Sequence, residues 1–431
     1  MLNHFESLIT TVSAANFINV GNCQFCEFVS EHQATLTSTT QIDVPSSCSF
    51  KNGYTATAQS DLDSLKDCDA IDGDLYVTGD IGSAAIANVR AVYGDLVVFN
   101  ATQLTSFTAD SINTITGEFR LTGLTTLDTL SMGGLTSVGA INWVTLPTLT
   151  DTGLTSVTEC NAILISDTQL ASLDGINPTN VETYNVNNNQ FLLKIKSDIE
   201  SVSNSLTVAY NGHGADVAFD QLQWANNITF YSVSSVSMAN LTSVNHSIGF
   251  FETKVEDLHF KTLTKVGGDL TMSNNDDLTS IDFDNLESIG GGFVVNNNSK
   301  LQSVDTFDDL KTVTGAVLLT GDLSNVSLPA LKSVRGAFSL NSDGSADCSP
   351  FDELHDSGNI QGEYLCKAAS APSSSGKSGS SKSTSAKGGD KTSATESGSE
   401  SKSSKGDGAA VYSIEYTSVF GAVAAVLFAL F

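Results

Sequence analysis

The sequence is short of cations. Lys and Arg number 20 against 48 Asp and Glu, a formal charge of −28 over 431 residues. Phosphate binding runs on clustered cations, so this balance argues against a nucleic-acid partner. Charged residues of both signs reach only 16%, below the usual quarter. Proline is scarce, at 6, and apolar residues never hold a helical 3.6 spacing, which excludes a helical bundle. The histidines show no ligand spacing, and neither a P-loop nor a Gly-x-Ser-x-Gly elbow occurs. No cofactor is expected. What remains is a chain rich in Ser, Thr, Asn and Gly whose apolar residues stand two apart, and this reads as all-β structure.

That pattern repeats. A small residue, often Gly, precedes x-φ-x-φ, where φ is apolar, as in Gly94-Asp-Leu-Val-Val98 and Gly268-Asp-Leu-Thr-Met272. The first φ falls at 75, 96, 119, 141, 163, 184, 206, 228, 248, 270, 293, 317 and 338. Steps of about 22 residues lie in the range of solenoid repeats. Many units close with Leu-x-x-Val/Ile before the next Gly, as in Leu286-Glu-Ser-Ile289. The expected fold is a β-helix solenoid of thirteen coils over residues 70–345. Alternate residues point inward, and coils stacked about 4.8 Å apart share one apolar axis. By the same parity Asn100, Asn188, Asn274 and Asn297, four residues after the first φ, should face the interior as a ladder.

A solenoid has two open ends. Cys48 and Cys68 flank the entrance to the first coil, and Cys348 and Cys366 follow the last. Two end-cap disulfides, Cys48–Cys68 and Cys348–Cys366, are expected, within caps at 45–69 and 346–369, in an oxidising compartment. Cys160 reads as a lone thiol in the stack. Cys23 and Cys26 form a CxxC in residues 1–44, an atypical leader or extension that fits neither the repeat nor a standard signal peptide. That CxxC lacks the partners for a metal site.

Residues 370–408 form a Ser/Thr-rich segment without large apolar side chains, and read as a disordered stalk. Val419–Phe431 is wholly apolar but too short, at about 20 Å, to span the roughly 30 Å bilayer core as a helix. Small residues at 408–410, a spacer and a hydrophobic end make the signal for a glycosylphosphatidylinositol (GPI) anchor, with 409–431 as propeptide. Gly408 is the expected attachment site and Asp407 the next choice. The membrane is therefore an expected partner.

Surface chemistry offers three further candidates. Asp74, Asp95 and Glu118 hold one position in the first three coils, where a cation or a basic partner could bind, or where the turn simply favours Gly-Asp. The outward column beside them, from Tyr76 to Thr229, has one aromatic, which argues against tight glucan binding there. His213, between two glycines, is the feature a β-helix polysaccharide hydrolase would use, but the carboxylate pairs Asp276-Asp277 and Asp308-Asp309 come only in later coils. Six N-x-Ser/Thr sequons stand at Asn100, Asn227, Asn240, Asn245, Asn297 and Asn325. Asn227, Asn240, Asn245 and Asn325 are expected outward or in turns; Asn100 and Asn297 are interior if the ladder parity holds, which would exclude a glycan.

Gly-Asp-Leu-x-Val coils with Leu-x-Ser-Val closures, paired end cysteines, a Ser-rich stalk and an apolar tail together resemble the fungal GPI-anchored cell-wall organisation proteins, of sporulation-specific and extracellular-mutant type. The resemblance covers about residues 45–431. It implies a receptor L-domain-like, right-handed β-helix related to leucine-rich repeats, in a glycoprotein that supports wall integrity and carries no catalytic residues. Cell-wall glucan and wall proteins are the partners it suggests. The alternatives are a receptor-like module that recognises a protein or wall glycan, and the hydrolase.

Overall fold

The repeated x-φ-x-φ unit, often opened by Gly, forms the leading strand of every turn. In the computed structural model, which describes residues 42–369, these strands pair in parallel, each with its counterpart one unit away. Leu75 pairs with Leu96, Leu96 with Phe119 and Phe119 with Ile141. The ladder runs unbroken through Ile163, Tyr184, Leu206, Ile228, Ile248, Leu270, Phe293 and Val317 to Phe338. The result is a parallel β-solenoid of fourteen turns, about 22 residues each. One more turn is present than the thirteen coils counted from the repeat. Both cap regions add a strand to the same sheet: Tyr54–Ala56 pairs with Leu75–Val77, and Tyr364–Lys367 with Phe338–Ser342.

The apolar periodicity is the core. Phe293, Val295, Leu301, Val304, Phe307, Leu310 and Val313 of one coil have no exposed surface. Burial of each such side chain contributes about 1.5–3 kcal/mol, but only because the coils above and below cover it. Phe260, Phe283 and Phe307 stack through three successive coils, with centroids 5.1 and 5.3 Å apart and ring planes within 13° and 5°. A second inward column, Val244, Val266, Ile289, Val313 and Val334, is supplied by the Leu-x-x-Val/Ile closures.

Where glycine opens a unit, close approach requires it. A Cβ at Gly315 would lie 2.5 Å from the carbonyl carbon of Gly291, and one at Gly336 would lie 2.6 Å from that of Gly315. The Gly315 N–H donates to the Gly291 carbonyl at 2.8 Å, so the backbones of adjacent coils meet here with no room for a side chain.

The corner after the leading strand has a fixed conformation. The residue four positions beyond the first φ is left-handed in coil after coil: Asn100, Thr145, Asp167, Asn188, Tyr210, Ser232, Glu252, Asn274 and Asn297 all have φ between 51° and 58°. This overturns the interior placement of Asn100, Asn188, Asn274 and Asn297. A left-handed residue ends the strand's alternation, so these four side chains are exposed and the next residue turns inward instead.

Among the described residues, Asn189, Asn211, Asn275 and Asn298 are the buried asparagines. They form two short ladders. Asn189 Oδ1 accepts from the N–H and hydroxyl of Thr168, and Asn211 Oδ1 accepts from the N–H and amide of Asn189. Thr253, Asn275 and Asn298 repeat the arrangement, and Val233 separates the two runs.

The ends are closed differently. The first carries the short helix Gln59–Asp63, in which the Asp61 carboxylate accepts from the N–H groups of Thr57 and Ala58. The last carries the helix Ser349–Asp356, whose Phe351 packs on Phe338 with centroids 4.7 Å apart. Cys48 is bonded to Cys68 and Cys348 to Cys366.

Candidate functional site

The acidic column stands in one register, but its charges are already engaged. Asp74 Oδ1 accepts from the N–H of Asp95 at 2.9 Å, and Asp95 Oδ1 from the N–H of Glu118 at 2.8 Å. Glu118 is paired with the Arg120 guanidinium and accepts from Asn142 Nδ2 at 2.6 Å. The Tyr76 hydroxyl donates to Asp74 at 3.0 Å; that bond, with some burial, raises the hydroxyl above its ordinary pKa. Asp74 and Asp95 thus each cap the backbone of the next coil, whereas Glu118 holds the side chains of Arg120 and Asn142. Among the described residues no group of three or more His, Cys, Asp or Glu is placed to hold a metal ion.

His213 is exposed in a turn between Gly212 (φ 55°) and Gly214 (φ 108°). Its carbonyl accepts from Lys254 Nζ at 2.8 Å. Asp276-Asp277 and Asp308-Asp309 lie three and four coils further on, roughly 14 Å or more at the spacing of β-strands. Asp277 is paired with Lys300 at 2.7 Å. The histidine and the carboxylate pairs are not brought together.

The sequons separate by environment. Asn100, Asn240, Asn245, Asn297 and Asn325 are exposed. The left-handed corner is what brings out Asn100 and Asn297. Asn227 is half-buried: its Nδ2 donates to the Asn204 carbonyl and its Oδ1 accepts from the N–H of Ser247. Cys160 lies inside the stack, 2% exposed, and its thiol donates to the Ala162 carbonyl. Burial pushes that thiol up to about 12. Gly408, Asp407, Cys23 and Cys26, the stalk and the propeptide lie outside the described residues.

One feature escapes a reading by columns. Tyr210, Tyr231 and Phe251 stack along the outside of three consecutive coils, with centroids 5.7 and 5.0 Å apart and planes within 22°. Tyr231 and Phe251 stand three residues after the first φ, whereas Tyr210 stands four after it, at the left-handed corner. Partial burial, and then the charge of the nearby Glu252 carboxylate, raise the Tyr210 hydroxyl above its ordinary pKa. The signal available in the sequence was the run of aromatics one unit apart; a search along the single outward column from Tyr76 to Thr229 passes beside it.

The chain is 39% identical over 320 residues to the cell wall mannoprotein PST1 of Saccharomyces cerevisiae, an alignment covering 74% of this chain and 72% of that one. It is 35% identical over 352 residues to the cell surface GPI-anchored protein ECM33 of Candida albicans, covering 80% and 85%. It is 32% identical over 346 residues to the cell wall protein ecm33 of Schizosaccharomyces pombe, covering 78% and 81%. No family model matches the chain, and no solved structure matches it.

Proposed function

The chain belongs to the family of fungal cell-wall proteins to which these relatives belong, and from that premise we propose that it is a non-enzymatic, glycosylated surface protein that supports the organisation and integrity of the wall. It stands at the outer face of the plasma membrane and in the cell wall, held by a GPI anchor on Gly408 after residues 409–431 are removed. Residues 370–408, rich in Ser and Thr, serve as a stalk segment. Residues 1–44 precede the first cap.

The observation that carries this reading is the capped stack itself. Fourteen turns share one apolar axis, with a disulfide at each end, and the carboxylates of the acidic column are tied to backbone N–H groups and Arg120. Such a body is a stiff spacer, about 65 Å long at the spacing of β-strands. The relatives' names, a cell wall mannoprotein and a cell surface GPI-anchored protein among them, support the address.

Two measurements test it. Phosphatidylinositol-specific phospholipase C should release the membrane-held protein from cells, and a chain ending at 408 should pass into the medium; retention in both would remove the anchor. Deletion of the gene should make cells sensitive to wall-binding dyes, restored by the full chain and equally by His213→Ala. Release of reducing sugar from wall glucan by the purified protein, lost in His213→Ala, would make it an enzyme instead.

A further inference from the structure

The three outward positions of each leading strand are almost free of charge over most of the main sheet's length, with Glu182 and Glu252 exposed at their margins. Each leading strand turns three side chains outward: the residue before the first φ, and the residues one and three after it. On the ten strands from the one bearing Ile141 to the one bearing Phe338, these positions hold a single charged residue, Asp269. Its carboxylate accepts from the N–H of Gly292 at 2.6 Å. The others are Ala, Ser, Thr, Asn and Gly with a few Val, Leu, Tyr and Phe. This occurs on a chain of net charge −28. Lys194, Lys196, Asp198 and Glu200 follow one another on the far side of a single coil.

The aromatic ladder borders this face. Tyr210 is its open end: among the described residues no ring continues the stack beyond it, and it is 49% exposed. The preceding coil presents Phe191 and Leu193, 50% and 54% exposed. Leu193 packs close to Gly212, where a Cβ would meet its Cδ2 at 2.7 Å. Three of the five most exposed large apolar side chains among the described residues thus stand on two adjacent coils. Of the sequons only Asn227 falls on the neutral face, and both ends of its amide are engaged. Asn297, at the corner position that Tyr210 also holds, stands four coils away from it.

We propose that this face, anchored at Tyr210, binds an uncharged polysaccharide chain. A polymer of hydroxyl groups meets an uncharged face without stranding a charge. It can exchange hydrogen bonds with Asn185, Thr207 and Thr229, and it can cover exposed ring surface with its own apolar faces. An acidic polymer would be repelled by a net charge of −28, and a basic partner would be drawn to the charged sides rather than to this one. The proposal deepens the wall reading above and rests on it for the source of the polymer.

The test uses the purified full chain, mixed with insoluble β-glucan particles, with chitin and with mannan, and reads the fraction retained at low and high salt. Retention by at least one of these is expected, unchanged by salt, because no ion pair is there to screen. Tyr210→Ala with Tyr231→Ala should weaken it about tenfold. Thr207→Lys, which leaves the rings alone, should weaken it similarly, whereas Lys196→Ala on the opposite side should not. Circular dichroism and the thermal midpoint establish that each variant folds.

No retention by any of the three polymers, or retention indifferent to both the aromatic and the Thr207 substitutions, overturns the proposal. So does retention lost at high salt, which assigns the contact to charge. Self-association abolished by the same substitutions would give the face to a second copy of this chain instead. If the protein binds nothing while phospholipase still releases it and its deletion still weakens the wall, this proposal alone falls. If it binds but is neither anchored nor needed for the wall, the reading beneath it falls.

Discussion

Asn298 reaches one coil back to Asn275. Its Oδ1 accepts from the backbone N–H of Asn275 at 2.9 Å and from the Asn275 side-chain amide at 3.0 Å, while its own Nδ2 donates to the Met272 carbonyl. Both residues are buried, and each supplies at the corner the hydrogen bonds that the interrupted strand pairing leaves unmade.

Asn275→Ala should therefore be costly. It strands the Thr253 N–H and hydroxyl and the Phe250 carbonyl, all in the interior. Each buried group left unpaired costs about 1–3 kcal/mol. A urea midpoint should fall sharply for Asn275→Ala. It should barely move for Asn274→Gly, which keeps the exposed left-handed corner in a residue that favours it. Equal losses in the two variants would refute the assignment of the inward residue.

The cap disulfides should protect the ends. They close segments separated by 20 and 18 residues, and cross-links of that length stabilise by about 3 kcal/mol. Cys348→Ser with Cys366→Ser should lower the thermal midpoint and loosen Tyr364–Lys367 first. Amide hydrogen exchange, read along the chain, checks this: protection lost evenly over all coils would contradict it.

Cys160 should be unreactive in the folded protein. Burial favours the neutral thiol, and its pKa of about 12 leaves almost no thiolate near pH 8. Alkylation followed by peptide mass spectrometry should find the Cys160 peptide unmodified until denaturant is added. Rapid labelling without denaturant would mean that the stack opens at this coil.

Glycan occupancy should follow exposure. Asn100, Asn240, Asn245, Asn297 and Asn325 should be occupied on protein recovered from cells, and Asn227 least. Peptide mapping after enzymatic deglycosylation gives the occupancies. A fully occupied Asn227 would require that strand edge to be more open than the hydrogen bonds to Asn204 and Ser247 allow.

The fold was legible because one rule, a small residue followed by alternating apolar positions, places Leu96, Leu270 and Phe293 in a column, and the structure keeps that column. Parity failed at Asn100, Asn188, Asn274 and Asn297. Alternation is a property of extended backbone, and nothing in a count of positions reveals that the fourth residue turns left-handed. The same turn hid the ladder of Tyr210, Tyr231 and Phe251, whose members occupy different positions in their units yet meet in space. Asp74 and Asp95 were visible as a repeated Gly-Asp, but a carboxylate that caps the next coil and one that awaits a cation are spelled alike.

Because each turn answers only to the turn above and the turn below, height is the freest variable in this design. Duplicating one unit would lift everything beyond it by a single strand's width, with no need to rework either closure. A lineage could in this way match the reach of such a protein to a thicker or thinner envelope, while the Gly291, Gly315 and Gly336 contacts hold the new layer in step with the old.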